Sequence, residues 1–161
     1  MAAAHAAGKA VVAHAVAAEA YTMALDVGAD ILTHLPLGAP LTYGEAARMA
    51  EGGRTVIPTL VMMEGIMSAL GAPEAVAAVL PGIAELHRAG VPVLVGTDAN
   101  TQPGAPFNAE HGASLHREPE LLVEAGLTHA EASVRQRAKP PASSACPIAA
   151  LSVPGSARTS C

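Results

Sequence analysis

The stretch Ala10-Val-Val-Ala-His14-Ala-Val-Ala-Ala-Glu-Ala-Tyr-Thr-Met-Ala-Leu-Asp-Val-Gly28-Ala-Asp-Ile-Leu-Thr-His34 decides how the chain folds. Its two ends, 10–14 and 29–34, are short apolar runs, and each closes on a histidine. Between them, residues 16–27 carry apolar side chains at helical spacing (Ala17, Ala20, Tyr21, Ala24, Leu25). That run stops at Gly28, a residue free to take the left-handed turn that ends a helix. Wholly apolar strands separated by a helix define a βαβ unit, hence a parallel sheet expected to be buried on both faces. The same alternation continues outward. Residues 43–51 form a short helix before Gly52-Gly53, and 54–59 a third strand. Helices follow over 60–70 and 73–89, the second with Pro73 at its first position and Gly90 after its last. A fourth strand is expected over 91–96, a loop over 97–108, and an amphipathic helix over 109–125 closed by Gly126. Thr128 with Glu131 three residues on is a capping box opening one more helix. The fold class is α/β, with about four parallel strands and flanking helices; four are few for a closed (β/α) barrel.

Composition narrows the function classes. Of 161 residues 51% are hydrophobic but only 2% aromatic, so alanine, leucine, valine and six methionines must build the core. No apolar run approaches the ~18–20 residues of a membrane span, and a net charge of −5 leaves no basic footprint for nucleic acid. All 14 acidic residues precede residue 133, after which the only charges are Arg135, Arg137, Lys139 and Arg158. The organisation expected is therefore a domain over 1–132 followed by an irregular or disordered Pro/Ser-rich tail over 133–161. Cys146 and Cys161 both fall in that tail and make neither a disulfide framework nor a zinc motif. The first residues lack a basic segment ahead of an apolar run, so the location expected is cytoplasmic.

Chemistry in parallel α/β architectures sits at the carboxyl ends of the strands. The first strand ends at His14, the second at His34 and the third at Thr59, while the fourth runs into Gly96-Thr97-Asp98. Two imidazoles and a carboxylate at equivalent positions are donors suited to zinc or a similar divalent ion. A single strand-end histidine alone reads more readily as a hydrogen-bonded packing residue; it is the combination of three that points to a metal site.

Several strings resemble the amidohydrolase superfamily, in its imidazolonepropionase-like branch of metal-dependent hydrolases. They are Lys9-Ala-Val-Val-Ala-His14, Ala29-Asp-Ile-Leu-Thr-His34, Ala89-Gly-Val-Pro-Val-Leu-Val-Gly-Thr97-Asp98, and Ser114-Leu-His-Arg-Glu118 with Leu121-Leu-Val-Glu-Ala-Gly-Leu-Thr128. The resemblance covers about residues 3–132 in the family's order. It implies the C-terminal half of a TIM-barrel-like catalytic domain, a partial half barrel. His14 and His34 then correspond to the metal ligands of barrel strands five and six. Asp98 corresponds to the strand-eight aspartate that binds metal and shuttles the proton of the attacking water. The implied cofactor is a divalent metal, zinc foremost. The implied reaction is hydrolysis of a carbon–nitrogen bond other than a peptide bond, amide or cyclic amide, in a small-molecule substrate.

The departures from the pattern matter too. The family's His-x-His first strand and its bridging carboxylated lysine have no counterpart upstream of residue 10, and Lys9 precedes a strand rather than ending one. From Ser133 the match stops, as expected of a barrel half truncated in front and scrambled behind by a shift of reading frame. An alternative is therefore a non-catalytic half-barrel fragment stabilised by a complementary half or by self-association. A third is a metal-free small-molecule-binding domain.

Other residues carry less. His5, His87 and His129 read as solvent-facing helix residues, His116 and Glu120 as an ordinary i, i+4 pair, and His111 has no assignment. Glu118 reads as a solvated or helix-packing carboxylate. Met62, Met63 and Met67 read as core or barrel wall. Loops 36–41 and 101–108 lack charge, which points to a neutral or modestly polar substrate.

Overall fold

A computed structural model describes residues 1–134 and, for the backbone alone, 135–137 and 148–152. In chain order the elements are α1 (Ala2–Ala6), β1 (Ala10–His14), α2 (Ala18–Asp26), β2 (Ile31–Thr33), α3 (Tyr43–Glu51), β3 (Thr55–Ile57), α4 (Leu60–Ala69), α5 (Glu74–Ala77), α6 (Leu80–Arg88), a 3-10 turn (Ala113–His116), α7 (Arg117–Glu124), α8 (His129–Arg137) and β4 (Ile148–Ser152). The sheet is wholly parallel in the order β3-β2-β1-β4. The register aligns Ala13 with Leu32 and Leu32 with Val56, and aligns His14 with Thr33 and Thr33 with Ile57.

That register separates two faces. Ala13, Leu32 and Val56 are buried and join the main core, whose fully buried side chains include Tyr21, Leu35, Met49, Leu60, Ile83, Leu86, Leu121 and Leu122. The opposite row is more open: His14 is exposed, and Thr33 and Ile57 are half-buried. The same face also holds Ile31 and Thr55, both buried, so the expectation of a sheet buried on both faces is met fully on one face, while the other opens toward the carboxyl ends of the strands. Capping chemistry set the helices where the spacing placed them. Thr42 and Glu45 form a reciprocal capping box on α3, and Thr128 and Glu131 do the same ahead of α8.

Three expectations need correction. The segment 91–96 is not a full strand; it meets β3 through one parallel bridge, Val56 to Val93, with Val56 N–H donating to Pro92 O and Leu94 N–H to Val56 O. Pro92 has no N–H to give to a ladder, and Gly96 lies so close to Ile57 that a Cβ there would stand 2.5 Å from its Cγ2. The helix expected over 73–89 is broken into α5 and α6, since Pro81 in the first turn of α6 cannot continue a hydrogen-bonded helix from upstream. The helix expected over 109–125 begins only after the 3-10 turn and is α7.

Beyond residue 132, α8 continues to Arg137, and Ile148–Ser152 adds a parallel strand to the outer edge of β1. The rest of the expected irregular tail, 138–147 and 153–161, lies outside the described residues, as do both cysteines. Because β4 satisfies the backbone of β1 along its whole length, its removal leaves a row of bare N–H and C=O groups, a template for another chain. A chain ending at Arg137 is therefore expected to self-associate in sedimentation at concentrations where the 161-residue chain does not. Unchanged sedimentation would show that β4 does not protect that edge.

Candidate functional site

His14 is the last residue of β1, and His34 follows β2 directly. The parallel register sets the two ends side by side, so the rings meet edge to face with centroids 4.2 Å apart and planes at 71°. His34 Nε2 and His14 Nδ1 are 2.8 Å apart, a direct hydrogen bond. On the other side of the ring, His34 Nδ1 lies 2.5 Å from the Thr59 hydroxyl, which itself donates to the Pro58 carbonyl at 2.8 Å. His34 and Thr59 are buried, and His14 is exposed. Burial, reinforced by the neighbouring His14, lowers the His34 pKa to about 4, so its ring is neutral at ordinary pH.

Asp98 lines the same cavity as the two histidines. Partial desolvation raises its carboxyl above the ordinary value, against a smaller opposing pull from His14. Asn100 holds the turn beyond it: its Nδ2 donates to the backbone oxygen of Asp98, and its Oδ1 accepts from Gln102 N–H, both at 3.0 Å.

The backbone marks these positions independently. Among the described residues, the non-glycine residues with positive φ are His34 (69°), Thr59 (50°) and Asp98 (55°). All three follow strand ends or, for Asp98, the bridged segment. Such conformations cost about 1–3 kcal/mol each and collect at functional sites, where the surroundings over-determine them. Thr59 is β-branched, the type least suited to this region.

The cavity, of about 320 Å³, has one wall of thioethers, Met62, Met63 and Met67, and a rim that includes Asn100 and Gln102. The methionines are thus both core and cavity wall. Phe107 lines both this cavity and another of about 730 Å³ whose lining includes Val61, Leu121, Glu64 and Glu124. Its ring lies on Gly65, where a Cβ would approach ring atoms to 2.2–2.3 Å, so only glycine admits the ring there.

A divalent ion finds suitable donor types here, with limits. Two nitrogens sharing one zinc at ~2.0–2.1 Å in a tetrahedral site stand roughly 3.3 Å apart; the 2.8 Å separation is instead a bond between the rings themselves. Among the described residues, no three His, Cys, Asp or Glu side chains converge as a ligand set. The imidazole pair therefore offers suitable donor types without a converged ligand set, and Asp98 lines the same cavity.

The structure also shows what the other polar residues do. His5 Nε2 meets Asp30 at 2.8 Å and His87 Nε2 meets Glu131 at 2.9 Å, so neither is simply solvent-facing. Glu120 pairs with Arg117, which also reaches Glu64 and Glu124, instead of with His116. His111 is exposed and does not line the cavity. Of the two expectations for Glu118, the helix-packing one holds and the solvated one does not. Glu118 is fully buried and accepts the N–H groups of Leu60 and Val61 at 2.9 Å each.

The parallel strands β1 and β2 thus end at or beside His14 and His34, which line one cavity with Asp98 in an α/β fold. A Xaa-Pro dipeptidase solved with methionine in its active site shares the fold, with a TM-score of 0.63 and 23% identity over 83% of this chain and 34% of that one. A. niger ochratoxinase gives 0.61 and 23% over 80% and 28%, and molinate hydrolase 0.58 and 21% over 80% and 32%. The chain thus spans about a third of the length of these neighbours. No protein-family model matches it, and no curated protein matches it.

Proposed function

We propose that the chain carries part of the active site of a metal-dependent, amidohydrolase-type enzyme that hydrolyses an amide or cyclic-amide carbon–nitrogen bond. The observation supporting this most directly is the His14–His34 pair at adjacent parallel strand ends, sharing a cavity with Asp98. The neighbours' names, a hydrolase, an ochratoxinase and a dipeptidase, support hydrolysis in general, although the dipeptidase's name points to a peptide bond. His14 and His34 would hold the metal, zinc foremost, with Asp98 beside it. When bound, such an ion lowers the pKa of water toward ~7 and polarises the scissile carbonyl. Asp98 accepts the proton of the attacking water and returns it to the leaving nitrogen, a task that a carboxyl with a raised pKa performs well. The methionine wall and the amide groups of Asn100 and Gln102 suit a neutral substrate with an apolar portion; among the described residues no lysine or arginine lines the cavity to receive an anion. The open row of His14, Thr33 and Ile57 is the face that a complete barrel would enclose, so the chain is read as a partial barrel over 1–132.

Metal analysis with sedimentation tests the assignment. Purified chain is expected to retain one zinc per active site, and His14→Ala or His34→Ala to lose at least ~10-fold in zinc affinity. A chain that stays metal-free in the presence of micromolar zinc overturns it. The direct bond between the two rings and the absence of a three-ligand group among the described residues favour a second reading. In it the chain is a non-catalytic half barrel that associates with a complementary half or a second copy. Among the described residues no helix is long and apolar enough to cross a membrane.

A further inference from the structure

Thr59 precedes α4 and stands at its N-cap, where a threonine hydroxyl ordinarily accepts one of the first N–H groups of the helix. It makes no such bond, because its φ of 50° and its hydrogen bonds direct the hydroxyl elsewhere. The first two N–H groups of α4, on Leu60 and Val61, go instead to the two carboxyl oxygens of Glu118, which lies 58 and 57 residues further along the chain. Capping has been transferred from the adjacent side chain to a distant one, and the transfer frees the threonine.

A hydroxyl has a single proton. Thr59 Oγ1 donates it to the Pro58 carbonyl, which is buried and makes this hydrogen bond alone among the described residues. Only an oxygen lone pair then remains for the contact with His34 Nδ1. In the reverse arrangement, with Thr59 donating to His34, the Pro58 carbonyl is left buried without a partner, at a cost of roughly 1–3 kcal/mol.

We propose that Thr59 is a positioning residue that sets the tautomer of His34, with Glu118 holding the turn that makes this possible. His34 carries its proton on Nδ1 and presents a bare Nε2 to His14. His14 donates its Nδ1–H to that nitrogen and keeps its own Nε2 lone pair outside the chain of hydrogen bonds. The series thus runs from the Pro58 carbonyl through Thr59 and His34 to His14, with every donor pointing one way. Its use rests on the reading of the two histidines as the working pair, but the tautomer itself exists without any metal.

Nitrogen NMR of the metal-free full chain, labelled at histidine, reads the tautomer directly. The wild type is expected to show His34 with Nδ1 protonated and Nε2 bare. Thr59→Val removes both the acceptor and the donor and is expected to abolish the Nδ1–H signal, while Thr59→Ser restores it. A wild-type His34 protonated on Nε2 overturns the proposal by itself, whether or not the valine variant folds. Retention of the Nδ1–H tautomer in a folded Thr59→Val, or its absence in Thr59→Ser, also overturns it. Zinc binding plays no part in the measurement, so the metal reading can fail while this one stands.

Discussion

Glu118→Ala is expected to lower the unfolding free energy by roughly 3–5 kcal/mol, because two buried N–H groups lose their acceptor and a buried side-chain volume is emptied. Leu60 and Val61, whose N–H groups bond the carboxylate, are themselves buried, and water cannot reach them without opening the contact between α4 and α7. Glu118→Gln is milder, since its amide keeps one acceptor but sets its NH₂ group against the second N–H. Urea denaturation of the two variants beside the wild type measures both losses. A cost below 1 kcal/mol for alanine would mean that α4 is capped by something else.

The same residue gives stability a pH dependence of unusual sign. Burial pushes the Glu118 carboxyl up to about 7 from its ordinary 4.5, outweighing the opposing Val61 and Leu60 N–H bonds, with Glu64 adding a smaller upward push. Between those two pH values the folded chain holds a proton that the unfolded chain has released. Stability from this group is therefore fully present below about 4.5 and falls as pH rises toward 7, by up to ~1.4 kcal/mol per pH unit. The difference between the wild type and Glu118→Gln isolates the effect, because every other titrating group is common to both. A difference that is flat from pH 4.5 to 7 would place the carboxyl at its ordinary value.

Glu118 also shows where reading the sequence stops. The βαβ pattern and the strand-end histidines were legible because they are local: an apolar run, a helical period, a polar residue at the run's end. Register then follows from parallel pairing, and it brings His14 and His34 together without any further signal. The capping of α4 by Glu118 spans 58 residues and leaves no local trace, so the residue read as an ordinary helix carboxylate. Thr59 was visible as a strand end, but its role depends on a positive φ that no periodicity discloses. Segment 91–96 misled in the opposite way: its valines and leucine have strand composition, while Pro92 and Gly96 limit pairing to one bridge. Strand β4 was missed because five residues, Ile148–Ser152, sit among prolines and serines, and what recruits them is the open edge of β1.

Asp98→Asn carries the largest expected functional effect, a loss of about 10²–10⁴ in the rate of amide hydrolysis with the fold intact. The reason lies in the backbone. At φ 55° Asp98 occupies the left-handed region, which asparagine tolerates as well as aspartate does, so the substitution exchanges charge without imposing new strain. The turn that follows is preserved too, since Asn100 bonds the backbone oxygen of Asp98 and not its carboxylate. What the variant lacks is a carboxyl whose pKa desolvation has raised, the group to which the proposed reaction gives the proton-accepting role. A neutral chromogenic amide, N-acetyl-methionine p-nitroanilide, is a suitable probe for the thioether-walled cavity, which among the described residues no lysine or arginine lines. Thermal denaturation is expected to show equal or slightly higher stability for the variant, because a partly desolvated charge has been removed. A variant that keeps its rate within tenfold of the wild type would take the proton-transfer role from Asp98. A wild-type chain inert on such amides with zinc bound would favour the half-barrel reading, in which the histidine pair and its hydrogen-bonded support persist without turnover.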